Sequence, residues 1–383
     1  MSRVVAVVCD GYDFEKVYAC VKRGLAELGG IGAFVKPEEK VLVKPNFLAA
    51  EPAEKAVTVH PSVLKSVLRL LFEEGYAKVS FGDSPAVHSC RTVVKTLKME
   101  EPDFYGATLA PMVEEVRVKN PGGKTAKEFW FSKEIVEADA LIGVCKMKTH
   151  ALTRITGAVK NFYGAVNGKR KTVGHLKYPN DSVFSRQLCD MHLLLKPRLH
   201  IMDGIVAMEG NGPAGGTPVP MNVLLFSSDP VALDTVFAWL VNVDPLTVPT
   251  CVQGQAMGVG TDRESEIEVV LADGDEVKTV SRTELFKRLG NAEFDVDRTP
   301  VKKGLFARYS RTMTNLQSGP KIDPEKCVKC GVCVEHCPVP EKAVDFKNGR
   351  DAVPVHDYKK CIRCFCCQEM CPQSAIYVVK GVK

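Results

Sequence analysis

Eight of the chain's fifteen cysteines stand in two copies of one pattern near the C-terminus. Cys327, Cys330, Cys333 and Cys337 follow the spacing C-x2-C-x2-C-x3-C and precede Pro338. Cys361, Cys364, Cys367 and Cys371 repeat it before Pro372. A cubane iron–sulfur cluster needs thiolates converging from several directions on one small object. Two-residue gaps let a tight loop supply three of them and leave the fourth to a more distant segment. Zinc is the other centre that paired C-x2-C motifs hold, but a four-cysteine run ending in Cys-Pro, given twice, is not the usual zinc layout. The spacing points to one-electron transfer at low potential, with no acid–base work by the clusters themselves.

The repeat extends beyond the cysteines. Lys326 to Cys333 aligns without gaps on Lys360 to Cys367 and, after a short insertion in the first copy, Ala343-Val344 answers Ala375-Ile376. The segment from about Lys321 to Val379 resembles a bacterial two-cluster ferredoxin. That resemblance implies two [4Fe–4S] clusters in which the fourth cysteine of each run serves the other run's cluster. It therefore implies Cys327, Cys330, Cys333 and Cys371 on one cluster, and Cys361, Cys364, Cys367 and Cys337 on the other. Cys366 is spare, because Val332 holds its place in the first copy. It reads as a small packing residue, with a ligand swap as the alternative.

Those clusters need a body to serve, and the chain has one. Of 383 residues, 45% are hydrophobic and 25% charged, an ordinary globular composition. No apolar run is long enough to span a bilayer, and Arg3 to Cys9 reads as a strand rather than a signal peptide. Unpaired cysteines and oxygen-sensitive clusters suit a reducing, anaerobic cytoplasm. The net charge of +5 is mild, and no aromatic interleaving suggests nucleic-acid binding. Two basic clusters stand out: Arg298, Lys302, Lys303, Arg308 and Arg311, with no acid among them, and Lys169, Arg170 and Lys171. Each is either a solvated segment or a guide for an anionic ligand or partner protein. The expected division is an α/β domain over 1–297, a basic linker over 298–320 and a ferredoxin-like domain over 321–383.

In the large domain, short apolar runs alternate with amphipathic segments. Val4–Cys9, Val41–Lys44, Ala77–Phe81, Ala140–Val144, Leu199–Met202 and Asn222–Phe226 are expected strands. Asp13–Leu28, a segment opening at His60-Pro61 and closing at Gly75, and Pro230–Val241 are expected helices. This rhythm predicts the α/β class: a mostly parallel sheet covered by helices, followed by a small α+β ferredoxin-like domain. In such sheets ligands bind at the carboxyl ends of strands, where Lys44, Asn46, Asp83, Lys146, Lys148, His150, Asp203 and Asp229 fall. A convergent polar pocket is the expectation.

Two further segments bear on that pocket. If Thr156–Gly168 is helical, Gly157, Lys160, Asn161 and Gly164 share one face opposite an apolar stripe. Helix interiors disfavour glycine, so something approaches this backbone closely, either a ligand or a packed neighbour. Glu209 to Gly216 spells G-x-G-x-x-G, yet Pro213 interrupts it and an apolar run follows where a dinucleotide fold needs a helix. The remaining expectation is a loop carrying Glu209 into the pocket.

Val43-Lys44-Pro45-Asn46, Thr58-Val59-His60-Pro61, Gly82-Asp83-Ser84, Lys146-Met147-Lys148-Thr149-His150, Gly157 to Asn161 with Gly164, and His175 together resemble domain-of-unknown-function family 362. Asp203-Gly204, Glu209 to Pro213 and Asp229 to Asp234 complete the resemblance, which runs from about residue 3 to 260. It implies a shared pocket, and members are often fused to ferredoxin-like segments, but it carries no reaction. Cys145 stands where members often have proline. It is either a neutral change or a redox-active thiol, and Cys9 and Cys90 lie near enough to strand ends to meet it.

The residues suggest reduction of an anionic small molecule. Lys44, Lys146, Lys148 and Lys160 are placed to hold carboxylate or phosphate and to stabilise charge arriving with the electrons. His150 and His175 are the proton donors of choice, titrating near the working pH. Asn46, His60 and Asn161 complete the polar lining. Asp83, Asp203, Glu209 and Asp229 either orient these cations or hold a divalent metal. No residue announces a flavin, although two-electron reductions often use one. The leading expectation is a reductase fed by the clusters, with a carbon–carbon double bond as one candidate acceptor. The alternatives are an electron carrier that docks to a partner enzyme, and a metal- or nucleotide-dependent transferase with structural clusters.

Overall fold

The computed structural model describes residues 1–85, 87–300, 318–347 and 349–382, so Lys302, Lys303, Arg308 and Arg311 lie outside the described residues. The large domain is built on a ten-stranded sheet. Its strands are β1 (Ser2–Val8), β2 (Val41–Pro45), β3 (Val79–Phe81), β4 (Thr108–Leu109), β7 (Ala140–His150), β8 (Arg154–Thr156), β9 (Leu199–Glu209), β10 (Thr217–Ser227), β11 (Ile267–Asp273) and β12 (Glu276–Val280). The order is β12-β11-β1-β10-β9-β7-β2-β3-β4, with β8 folded back on β7. The half from β9 to β4 is parallel, as is β1 beside β11. The β9–β10 hairpin and the β1–β10 pairing introduce antiparallel neighbours. A separate hairpin, β5 (Glu115–Lys119) and β6 (Glu128–Ser132), lies off the sheet.

Successive strand residues face opposite sides of a sheet, and here both sides are covered. Val4, Ala6, Leu42 and Leu141 pack with the helices Asp181–Leu195 and Pro230–Leu240. Val5, Val7, Val43 and Ile142 pack on the other face with Phe14–Ala26 and Pro61–Glu73. Helix starts follow local chemistry. Asp13 Oδ1 accepts from the Lys16 N–H at 3.0 Å, and Pro61 occupies the first turn of its helix.

Three strands exceed their apolar runs. β7, β9 and β10 are each 11 residues long, so Lys146, Lys148 and His150 lie within β7 rather than after it. Each strand supplies the next with backbone partners, and a register shift between Lys146 and Lys148 absorbs the polar segment. The expected helix over Thr156–Gly168 is also shorter. Ala158–Asn161 is α-helical, Phe162–Ala165 is 3-10, and a new helix begins at Gly168.

The C-terminal lobe repeats itself in space. β13 (Gly319–Ile322) pairs with β16 (Ile376–Val379), β14 (Val344–Asp345) pairs with β15 (Val355–His356), and short helices follow at Val332–Glu335 and Cys366–Glu369. Arg298, at the start of the basic run, donates to the Val241, Asn242, Ala292 and Phe294 carbonyls and so belongs to the large domain's surface.

Candidate functional site

The carboxyl ends of β2 and β3 and the far end of β7 meet beneath the Cys366–Glu369 helix. A cavity of about 50 Å³ there is lined by Asn46, Asp83, Lys160, Lys171, His175 and Glu369, among others. Lys44 Nζ stands 2.8 Å from Asp83 Oδ1, both buried, and Asn161 accepts from the same ammonium at 3.4 Å. Burial pushes the Lys44 ammonium down, opposed by Asp83. Lys148, also buried, donates to Asn46 Oδ1 at 2.9 Å and to the Val57 carbonyl at 2.7 Å. Burial, with Lys160 and Lys146 nearby, holds it well below the usual lysine range.

Three buried polar atoms around this cavity have no hydrogen-bond partner among the described residues: His150 Nε2, His175 Nδ1 and Glu369 Oε1. His150 Nε2 and Glu369 Oε1 are 2.8 Å apart but not aligned as a hydrogen bond. His150 Nδ1 accepts from the Leu152 and Thr153 N–H groups, which leaves the ring proton on Nε2, facing the carboxylate. Burial raises the Glu369 carboxyl, but Lys160, His150 and His175 outweigh it and hold the group below the usual range. Glu369 is therefore an anion seated beside the Lys160 ammonium and two buried imidazoles.

Both histidines differ from the expectation of proton donors near neutrality, because burial takes each to about 4. Lys171 is the group nearer the working pH, brought to about 8 by burial against the pull of Asp83. It donates to the Ser84 carbonyl. Sequence reasoning placed Lys171 only in a basic cluster. There Arg170 pairs with Glu115 at 2.6 Å and stacks on Trp130.

Buried histidines also set an acid limit on the fold. His192, packed at 3.0 Å from the Val159 carbonyl, is taken to about 4 by burial. Unfolded imidazoles protonate near 6.5, so between those values the unfolded chain binds more protons. This stability is complete above pH 6.5 and lost as pH falls toward 4. Melting temperature is expected to drop across that window, with a shallower slope in His192→Gln; equal slopes would contradict this.

The glycines around Lys160 answer to the protein itself. A Cβ on Gly157 would overlap Asp234, whose carboxylate accepts from the Ala158 and Val159 N–H groups at 2.6 and 3.1 Å. A Cβ on Gly164 would overlap Asp83 and press on Lys44. Gly164→Ala is expected to part that buried pair and destabilise the fold by about 3 kcal/mol or more, read from a denaturant midpoint.

Other expected pocket residues lie elsewhere. Asp203 accepts from Lys146 Nζ at 2.7 Å, Tyr12 OH at 2.9 Å and the His60 N–H at 2.9 Å, and the His60 ring stacks on Tyr12. Lys146, Asp203 and His60 thus satisfy one another in a separate buried network. Asp229 caps the Pro230–Leu240 helix and accepts from Ser2 Oγ and the Thr261 N–H. Glu209 accepts from the Asp295 N–H at 2.9 Å instead of entering the cavity. Asp83, Asp203, Glu209 and Asp229 therefore sit in four separate places, and no three His, Cys, Asp or Glu groups among the described residues close on one point as a single metal ion requires. Cys145 packs on the opposite sheet face from Cys9 and Cys90, so the three do not meet.

The glycine-rich loop instead forms the ledge on which the cysteine lobe rests. Gln368 donates to Asn211 Oδ1 at 2.6 Å and to the Gly212 carbonyl at 3.0 Å, while Asn211 donates to the Ile376 carbonyl at 2.9 Å. Within the lobe, Cys327, Cys330, Cys333 and Cys371 line one cavity. The Cys333 thiol is pushed up to about 11 by burial and then by Cys371, Cys330 and Cys327. Cys367 is raised by burial and then by Cys364, Cys361, Cys333 and Cys337. A thiol quartet around a cavity, rather than around a point, fits an object of cubane size.

Comparison with known proteins agrees with this chemistry. The 4Fe-4S dicluster domain matches residues 319–372, and the lobe is a ferredoxin-like iron–sulfur domain for electron transfer. The Domain of unknown function (DUF362) family matches residues 41–239; the chain belongs to that family. A protein of Synechocystis sp. described as thylakoid-associated is 35% identical over 255 residues, 65% of this chain and 77% of the relative. Two solved structures are more distant. A Thermotoga maritima protein has 15% identity and a TM-score of 0.34, over 55% of this chain and 54% of its own. The lactate racemase apoprotein of Thermoanaerobacterium thermosaccharolyticum has 13% identity and a TM-score of 0.38, over 59% and 54%. The chain thus spans about half the length of each. No helix among the described residues is long and apolar enough to cross a membrane.

Proposed function

We propose that this protein is a ferredoxin-type oxidoreductase that passes electrons from two [4Fe–4S] clusters to an anionic small molecule held in the Lys160 cavity. The carrying observation is the seating of Glu369. A carboxylate from the cysteine lobe lies beside Lys160, with its Oε1 2.8 Å from His150 Nε2 and the unpartnered His175 Nδ1 close by. Glu369 falls midway between Cys367 and Cys371, which the ferredoxin pattern assigns to different clusters. An anion at this place is therefore close to the electron source by construction of the chain.

When bound, each cluster supplies one electron at low potential. The residues supply the rest. Lys160 attracts the anionic group and stabilises charge that builds on reduction. His150 presents its Nε2–H to the same region, and Lys171 is the proton donor closest to the working pH. A cavity of about 50 Å³ takes a few waters or one small anionic group, far less than the roughly 300 Å³ of a small organic ligand site. A larger substrate therefore exchanges its own carboxylate or phosphate for that of the Glu369 side chain.

The small cavity also favours a second reading, an electron carrier whose large domain only docks a partner enzyme. Anaerobic purification with iron and sulfide counts, together with mass spectrometry of molecules released on denaturation, separates the two. About eight irons with a co-purified anionic metabolite supports the oxidoreductase, in a reducing cytoplasmic setting. Full clusters with nothing released supports the carrier.

A further inference from the structure

The two cysteine runs are copies in backbone as well as in spacing. The Cys327 and Cys361 N–H groups donate to the Asp323 and Asp357 carbonyls. The Ala343 and Ala375 N–H groups donate to Cys337 and Cys371 Sγ, each at 3.3 Å. A shift of 34 residues (361 − 327) relates one run to the other.

Several positions differ between the copies, and one of them sets a donor beside a cysteine sulfur. Ile322 lines the cavity of the first quartet. Its counterpart is His356, whose Nε2 stands 3.5 Å from Cys367 Sγ. Val332 is answered by Cys366, a buried thiol. At position 356 an apolar residue of the first copy is replaced by a donor beside a cysteine sulfur of the second. A cluster-bound thiolate only accepts, so the ring nitrogen facing Cys367 carries the proton.

We propose that His356 raises the reduction potential of the cluster assigned to Cys361, Cys364, Cys367 and Cys337. The proposal rests on that ligand pairing. Reduction adds one negative charge shared by iron and sulfur, and a donor aimed at sulfur stabilises the reduced form more than the oxidised one. Burial acts in the opposite sense, since it disfavours added charge. Cys337, Cys364 and Cys367 are buried, whereas Cys330 of the other quartet is exposed. Burial alone would leave an electron on the exposed cluster. His356 opposes that bias and keeps the buried cluster, whose Cys367 lies in the helix bearing Glu369, able to hold an electron.

The test is a redox titration followed by electron paramagnetic resonance on the anaerobically reconstituted full chain. His356→Ile, which copies the first run, is expected to shift one midpoint downward by about tenfold in the reduction equilibrium, ~59 mV for one electron, and to leave the other in place. Ile322→His should raise the other. If His356→Ile fails to hold iron, His356→Gln, which keeps a donor, and Ile322→His carry the comparison. Two intact clusters with midpoints unmoved by these changes overturn the proposal. Fewer than two cluster signals in the unaltered protein overturn instead the pairing beneath it.

Discussion

Cys371→Ala is expected to empty the cluster held by Cys327, Cys330 and Cys333, although Cys371 belongs to the other run. Iron should fall from about eight atoms per chain to about four. Adding Cys330→Ala to that variant should then change nothing, because both cysteines serve one centre. Adding Cys364→Ala should remove the remaining iron. The grounds are geometric: Cys371 lines the same cavity as the first three cysteines of the other run, while Cys361 feels Cys364 and Cys337. Iron analysis of the single and double variants after anaerobic reconstitution decides it. The opposite pattern, with Cys330→Ala and Cys371→Ala emptying separate centres, would return each run to its own cluster.

Lys160→Ala carries the second large effect. Lys160 lines the cavity and is the strongest charged influence on Glu369, yet it is not part of the buried Lys44–Asp83 or Lys146–Asp203 pairs. Its removal is therefore expected to leave iron content and melting temperature close to those of the unaltered chain. Substrate-driven reoxidation of the reduced protein should fall by about 100-fold or more, the usual consequence of deleting one charge-stabilising donor. Lys160→Arg should restore part of the rate by keeping the charge. A variant that reoxidises at the full rate would remove Lys160 from the chemistry.

The alternation of apolar runs and helices disclosed the sheet, since both faces are buried and few other packings absorb such a pattern. The cysteine spacing disclosed the iron–sulfur lobe for a similar reason: little else requires that repeat. The lengths of β7, β9 and β10 were hidden because their polar second halves are stabilised by neighbours distant in sequence. The glycines at 157 and 164 correctly signalled a close approach, but only the structure names Asp234 and the Lys44–Asp83 pair as what approaches. Asp229 and Asp203 have the residue type of site groups, yet one caps a helix and the other neutralises a buried lysine.

Glu369 was the least legible residue. Glu335 occupies the same place in the first run and is exposed to solvent. The neighbours differ, Val334 and His336 against Gln368 and Met370, but the cysteine spacing around the two glutamates is the same. Gln368, Asn211 and the glycine-rich ledge determine which of them enters the cationic cavity, and that choice is made by docking rather than by the repeat.

The most direct test reduces the anaerobically prepared protein, removes excess reductant, and adds back the small-molecule fraction released from the same protein on denaturation. Bleaching and recovery of the cluster absorbance follow the electrons. Stoichiometric reoxidation of the unaltered chain, with little in Lys160→Ala, is the expected result. Clusters that stay reduced in both, or recover equally in both, would contradict reduction of an anion in this cavity.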